Sequence, residues 1–354
     1  MTATVETRWE VGGEFHLPVD SPGPYHRWPE TAVWYALGRH ALAALIRRVG
    51  SPRVWLPDYF CHEVARSWSE VAEIELYEDD PRWPAPRWET LRPGPRDAVL
   101  AVNYFGVRSR EPWRAWREET SCVLVEDHAH DPASEWATTS DADYAFSSLR
   151  KTLAVPDGAI LWSPRGLPLP DQPAGGADGS ELKLAAMLFK GEYLAGRNGE
   201  LKERFRRLQL DGEERLAGSQ AAGASPATRE ALVRGVPLPW RARRSENTAR
   251  LLAALDRWEA AEPVFTEWPA DAAPLGAVFV FEDGEERNRV REELREAGVY
   301  CPVHWADADM SSSDRVRDLA ARILTIPTDW RYGAADMARV ALLAREAVHS
   351  APGH

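Results

Sequence analysis

Val123-Leu124-Val125-Glu126-Asp127-His128-Ala129-His130, followed by Asp143-Tyr144-Ala145-Phe146-Ser147-Ser148-Leu149-Arg150-Lys151, is the stretch that decides the fold. Val123 to Val125 reads as a buried strand that ends in two acids and two histidines. Tyr144 to Phe146 reads as a second strand, running into two serines and a basic pair. Charge at the end of an apolar strand is costly unless it has a partner. An acid after one strand and a lysine after the next is where an α/β protein places a ligand.

The flanking sequence repeats the same alternation. Upstream, Trp34 to Val49 has helical spacing, with Leu37, Ala41, Ala44, Leu45 and Val49 on one face. It opens near Gly38-Arg39-His40 and stops at Gly50. Arg53–Leu56, Ala72–Tyr77 and Ala98–Val102 read as strands; Glu63–Trp68 and Pro112–Glu118 read as helices. The alternation predicts an α/β fold whose large domain has a mostly parallel sheet between helices. Pro164 to Ser180 is a loop by composition. Glu181 to Leu232 is helical with a break at Gly223–Pro226, and Arg243 to Ala260 reads as one long helix. From Gly276 onward, strands at 276–281, 299–303 and 323–326 alternate with helices at 285–297, 316–322 and 334–348. That predicts a smaller C-terminal α/β domain. The expected division is an N-terminal arm of irregular structure at 1–27, a large domain at 28–240 and a small domain at 241–354.

Bulk properties narrow the classes. A chain of 354 residues with 44% hydrophobic and 28% charged residues can build a sizeable soluble core. Its formal net charge of -12 argues against a general binder of nucleic acid or anionic membrane. Cys61, Cys122 and Cys301 are widely spaced and odd in number, which argues against a disulfide framework or a cysteine zinc site. No apolar run approaches the ~18 residues of a membrane span, and Met1 to Pro18 lacks the apolar stretch of a secretory signal. The expected location is the cytoplasm.

The ordered motifs carry a resemblance. Glu126-Asp127-His128-Ala129-His130 and Phe146-Ser147-Ser148-Leu149-Arg150-Lys151 resemble two strand ends of the fold-type-I pyridoxal-phosphate (PLP) enzymes, most of all the DegT/DnrJ/EryC1/StrS sugar aminotransferases. Gly38-Arg39-His40-Ala41-Leu42 resembles that family's Gly-Thr-x-Ala-Leu helix start. Pro57-Asp58-Tyr59-Phe60 resembles its Pro-x-Thr-aromatic segment. Val299 to His304 and Ile326-Pro327 resemble small-domain segments.

The resemblance implies a role for each residue. Lys151 would form the Schiff base with PLP, helped by burial and by the Arg150 charge, which favour the neutral amine. Once displaced by substrate, it would carry the proton. Asp127 would keep the pyridine nitrogen protonated. His130 would touch the ring oxygen and Phe60 would stack on the ring, with His128 a spacer. Gly38, Arg39, Ser147 and Ser148 would hold the phosphate through helix N–H groups and hydroxyls. Asn103 and Tyr104, at the end of the 98–102 strand, would face substrate; His304 and Tyr332 are further candidates. For each there is a plainer alternative: a capping aspartate, a surface lysine, a core aromatic or a packed turn.

Two departures stand out. The serine-to-lysine loop is one residue shorter than is usual in the family, and it contains Arg150. The family's Gly-x-Asn-Tyr-Arg-Met segment, which enters the neighbouring subunit's site, has no clear copy; Lys190, Tyr193 and Asn198 are the nearest substitutes. The implied function is transfer of an amino group from a donor such as glutamate or glutamine to a keto acceptor. By resemblance the acceptor is a keto-sugar in polysaccharide or secondary-metabolite biosynthesis, and the enzyme a homodimer. The alternatives are a PLP-dependent lyase, other Cα chemistry, or a PLP-binding protein without catalysis.

Overall fold

The structure is a computed structural model that describes residues 7–18, 20–219, 221–306 and 313–349. In chain order, β1 (Val11–Gly12) and β2 (Tyr25–His26) lie in the arm expected to be irregular, and β3 (Val33–Tyr35) precedes α1 (Gly38–Val49). Next come β4 (Arg53–Pro57), α2 (His62–Trp68), β5 (Glu73–Tyr77), β6 (Ala98–Val102), α3 (Glu111–Glu118) and β7 (Val123–Asp127). The chain continues through α4 (Glu135–Thr138), β8 (Tyr144–Ser148), β9 (Ala159–Trp162), α5 (Ser180–Leu194), α6 (Leu201–Gly218) and α7 (Pro226–Ala231). Then follow β10 (Val236–Pro237), α8 (Leu238–Ala254), β11 (Ala261–Pro263), β12 (Gly276–Phe281), α9 (Gly284–Glu296) and β13 (Val299–Tyr300). Last are α10 (Asp314–Arg322), β14 (Ile323–Pro327) and α11 (Ala334–His349).

The expected sheet is present, with seven strands in the order β3-β9-β8-β7-β6-β4-β5. From β5 to β8 every pairing is parallel, and β9 runs antiparallel to both β8 and β3. Parallel strands bury both faces and so read as unbroken apolar runs. β6, Ala-Val-Leu-Ala-Val, is buried throughout. Its side chains alternate between two cores. Leu100 and Val102 pack toward Leu42 and Leu45 of α1, whereas Val99 and Ala101 pack with Trp113 of α3. A second sheet, β11-β12-β14, is antiparallel; one face packs with α8, α9 and α11 in a core of its own, while Val278, Val280 and Ile323 on the other face join the core of the large sheet.

Several expected boundaries shift. Trp34 belongs to edge strand β3, paired with Ile160 of β9, so the helix starts only at Gly38. It stops at Gly50, whose φ of 67° supplies the left-handed turn that lets its N–H reach the Ile46 carbonyl. The long helix expected over 243–260 is displaced to Leu238–Ala254, with Pro239 in its first turn, where a missing N–H costs nothing. The strand expected over 299–303 is paired only at Val299 and Tyr300, against β1. The helical segment 181–232 is three helices.

This topology gathers the site. β4, β6, β7 and β8 point the same way, so their C-terminal ends share one edge of the sheet. β3 runs parallel to β8, because both are antiparallel to β9. The start of α1, just after β3, therefore arrives at the same edge.

Candidate active site

Asp127 ends β7 and is buried. One oxygen, Oδ1, accepts the Ala129 N–H at 2.8 Å. Burial pushes its carboxyl up to about 6, with that N–H and the charges of His128 and Lys151 pulling the other way. The adjacent Glu126 projects to the opposite face, as strand alternation requires. It is occupied there, accepting from Trp136 Nε1 at 2.8 Å and facing His128 Nε2 at 3.0 Å. His128 is thereby fixed as a structural neighbour and Asp127 is the acid left for the site.

His130 is fully enclosed, and burial holds its imidazole well below the ordinary range, so the ring is neutral. Its Nδ1 accepts the Phe105 N–H at 2.8 Å, which assigns the proton to Nε2. Phe105 aims that N–H from a left-handed conformation, φ 54°, unusual for a residue with a side chain. Its ring lies nearly parallel to His130, with centroids 5.6 Å apart. Phe105 was not singled out from sequence; the following glycine, Gly106 at φ 74°, is the only local hint of the turn. Trp305 was also missed. Its indole lies 6.1 Å from His130, 5.9 Å from Phe60 and 5.3 Å from Tyr59, so it joins the residues expected to surround a ring. His304 packs beside them, with Nδ1 3.0 Å from Thr325 Oγ1. Burial pushes this imidazole down to about 3.

The two serines separate. Ser147 is fully buried and its hydroxyl donates to the His128 carbonyl at 3.1 Å. Ser148, one residue on, faces the other side and is half-buried. A Cβ on Gly38 would stand 3.6 Å from Ser148 Cβ and 3.4 Å from the Phe146 ring, so the start of α1 and Ser148 form one cup. No side chain caps α1. Of its early N–H groups, His40 and Ala41 bond back to Leu37, which leaves those of Gly38 and Arg39 at the cup. The Arg39 side chain turns away, toward the Leu216 carbonyl at 3.4 Å and Glu63 at 3.9 Å.

Asn103 and Tyr104 do not line the cavity described below, and neither do Gly38, Phe60, Asp127, His130, Ser147 and Ser148. The turn through Phe105 folds Asn103 and Tyr104 under the site. Asn103 Oδ1 accepts the Arg108 N–H at 3.1 Å, and the Tyr104 hydroxyl donates to the Tyr59 carbonyl. Both are buried. Tyr332 accepts the Gly12 N–H at 2.7 Å, and Lys190 donates to the Glu14 carbonyl at 2.6 Å.

Lys151 closes the site from the turn after β8. The burial expected for it is not found; the side chain is exposed into a cavity of about 860 Å³. Thr152, His304, Arg244 and Glu14 share that cavity. The chain has four lysines. Lys183 pairs with Glu14 and Glu213, Lys190 binds backbone carbonyls, and Lys202 binds Glu10 at 2.6 Å and the Tyr300 hydroxyl at 2.9 Å. Lys151 alone makes no hydrogen bond or ion pair among the described residues. Its positive charge acts on Asp127, His130, His304 and Cys61, and of these His304 lines the same cavity.

Solved structures share this arrangement of strands. A putative sugar aminotransferase of Streptococcus pneumoniae, in its PLP form, superposes with a TM-score of 0.65 at 13% identity, covering 96% of this chain and 99% of that one. The chain has an aminotransferase fold. The aminotransferase TlmJ of Streptoalloteichus hindustanus matches at TM-score 0.62 and 19% identity, over 90% of this chain and 86% of that one. PseC of Helicobacter pylori, an aminotransferase in pseudoaminic acid biosynthesis, matches at 0.60 and 10%, over 90% and 86%. No family model and no curated protein matches the sequence. The likeness therefore lies in the aminotransferase fold, and identities this low leave the residues to be argued from their own geometry. Among the described residues no helix is long and apolar enough to cross a membrane.

Proposed function

We propose that this chain is a PLP-dependent aminotransferase. The observation that carries the reading is a buried carboxylate, Asp127, and the one lysine without a partner among the described residues, Lys151, at adjacent strand ends of an aminotransferase fold. The residues present fit the cofactor. The Oδ2 of Asp127 has no hydrogen-bond partner among the described residues. The cup formed by Gly38 and Ser148 offers N–H groups and a hydroxyl to a phosphate.

When bound, PLP supplies the electron sink on which amino-group transfer depends. The chain supplies the rest. Asp127 holds a proton on the ring nitrogen, an ion pair that offsets the cost of burying the carboxylate. Ser148 and the start of α1 hold the phosphate. Phe60 and His130 bound the ring, the latter offering its Nε2–H. Lys151 Nζ takes the proton from the substrate Cα, which its exposure to the cavity permits.

Glutamate or glutamine is the proposed donor and a keto-sugar the proposed acceptor, by likeness to neighbours described as sugar aminotransferases and to one solved with a TDP-sugar product. A cytoplasmic homodimer with the division 28–240 and 241–354 completes the proposal. The test is direct. Protein mixed with PLP should turn yellow, and glutamate should bleach it to the amino form of the cofactor. A protein that stays colourless, or one that no common amino donor bleaches, overturns the assignment.

A further inference from the structure

The N-terminal arm forms one wall of the cavity that holds Lys151. Gly12, Gly13, Glu14 and Phe15 all face it. The arm is fastened on both sides. Lys190 of α5 donates to the Glu14 carbonyl at 2.6 Å, and Arg331 donates to the same carbonyl at 3.1 Å. Phe15 stacks on Trp330, with ring centroids 5.9 Å apart.

From Glu14 a chain of charges leads to the lysine. The Glu14 carboxylate pairs with Lys183 Nζ. Lys183 Nζ also holds Glu213 Oε2 at 3.0 Å. Glu213 grips Arg150 with both oxygens, at 2.7 and 3.1 Å. Arg150 directly precedes Lys151 in the same single turn. Two features mark this as more than surface pairing. Lys183 is only 2% exposed, so it cannot turn to water if its acids are lost. The buried Arg150 Nε has no partner, so the guanidinium is held through Glu213 alone among the described residues. The four charges alternate in sign and cancel; neutralising either acid leaves excess positive charge beside Lys151.

We propose that Glu213 and Glu14 are positioning residues for the aminotransferase reaction: they hold Arg150, and through it the turn carrying Lys151, so that docking of the arm sets the charge at the lysine. The proposal rests on the PLP reading above. It also gives the arm a part in the site that no motif assigned to it. The Lys151 charge also acts on Asp127 at the end of β7, His130, Cys61 before α2 and His304 after β13, and Arg244, Asp329 and Arg331 line the same cavity. None of them is altered by the variants that follow.

The full chain is loaded with PLP and the yellow absorbance is titrated against pH for wild type, Glu213→Gln and Glu14→Gln. Both substitutions keep the shape of the side chain and remove its charge. Excess positive charge disfavours the protonated lysine–cofactor link. The midpoint is expected to fall by on the order of half a pH unit or more in Glu213→Gln, and by less, in the same direction, in Glu14→Gln. Glu14 is about half exposed, so its variant keeps the test alive if Glu213→Gln fails to fold. A purely structural role would lower the melting temperature without moving the midpoint. A yellow wild type with unmoved midpoints in the folded variants overturns the proposal and leaves the PLP reading intact. A wild type that never turns yellow overturns both.

Discussion

Asp127→Asn separates what the site costs from what it is for. In the folded, cofactor-free chain, burial lifts the Asp127 carboxyl from 3.8 to about 6. The unfolded chain returns it to its ordinary value. Between those limits the folded protein keeps a proton that the unfolded protein has released. Stability therefore falls as pH rises from about 4 to about 6, and stays at the lower level above that. At ~1.4 kcal/mol per pH unit, the difference amounts to about 3 kcal/mol. Asparagine cannot ionise, and its carbonyl oxygen can still accept the Ala129 N–H now made by Oδ1 at 2.8 Å. The stronger bond of a charged acceptor is already contained in that difference, because the Ala129 N–H is one of the groups that hold the carboxyl down to about 6. The cofactor-free variant should thus be more stable than wild type by about 3 kcal/mol at about pH 8, and no more stable at about pH 4. Urea unfolding at the two pH values measures this as a shift in midpoint concentration with an unchanged slope. With PLP present the order should reverse, because the variant cannot hold the ring nitrogen's proton as an ion pair. Equal stability differences at both pH values, or a cofactor-free variant less stable at high pH, would refute the reasoning.

The remaining predictions concern the residues around it. Ser148→Ala should weaken PLP binding about tenfold, the loss of one hydrogen bond to a charged group, whereas Ser147→Ala should leave binding unchanged and cost about 1 kcal/mol of stability; equilibrium titration and thermal melts on both variants decide between the serines. Arg108→Met should cost about 3–5 kcal/mol in urea unfolding, because Asp79, at 0% exposure, loses its bidentate partner at 2.8 and 3.1 Å. Burial already lifts the Asp79 carboxyl to about 6 despite Arg108, so without that cation the carboxylate is costlier still and the loss should grow as pH rises through neutrality. A pH-independent loss would contradict that account.

How much of this was legible in the sequence depended on the range of the forces involved. The parallel strands were, because burial on both faces demands unbroken apolar runs such as Ala98–Val102 and Val123–Val125. The start and stop of α1 were, because Gly38 and Gly50 act locally. Val33–Tyr35 was missed as a strand because its partner, β9, lies more than a hundred residues away. The start of α8 was missed because its apolar spacing runs past the helix end into Leu255 and Trp258, drawing the expected element toward the C-terminus. At the site, motif and strand position singled out Asp127, His130 and Lys151. Ser147 and Ser148 could not be ranked until β8 was seen to extend to Ser148, which sends consecutive side chains to opposite faces. Asn103 and Tyr104 were placed at the crevice by strand position, but a left-handed Phe105 folds them beneath it. Trp305 and the Glu14–Arg150 chain depend on contacts between distant segments, and no local pattern announces those.

The central claim is that Lys151, and not another lysine, holds the cofactor. With only four lysines in the chain, borohydride reduction of the PLP-treated protein followed by peptide mapping gives an unambiguous reading. The account predicts the added mass on the peptide containing Lys151 and none on those containing Lys183, Lys190 or Lys202, with Lys151→Ala losing the label entirely. A label on any of the other three, or full labelling of Lys151→Ala, would contradict it.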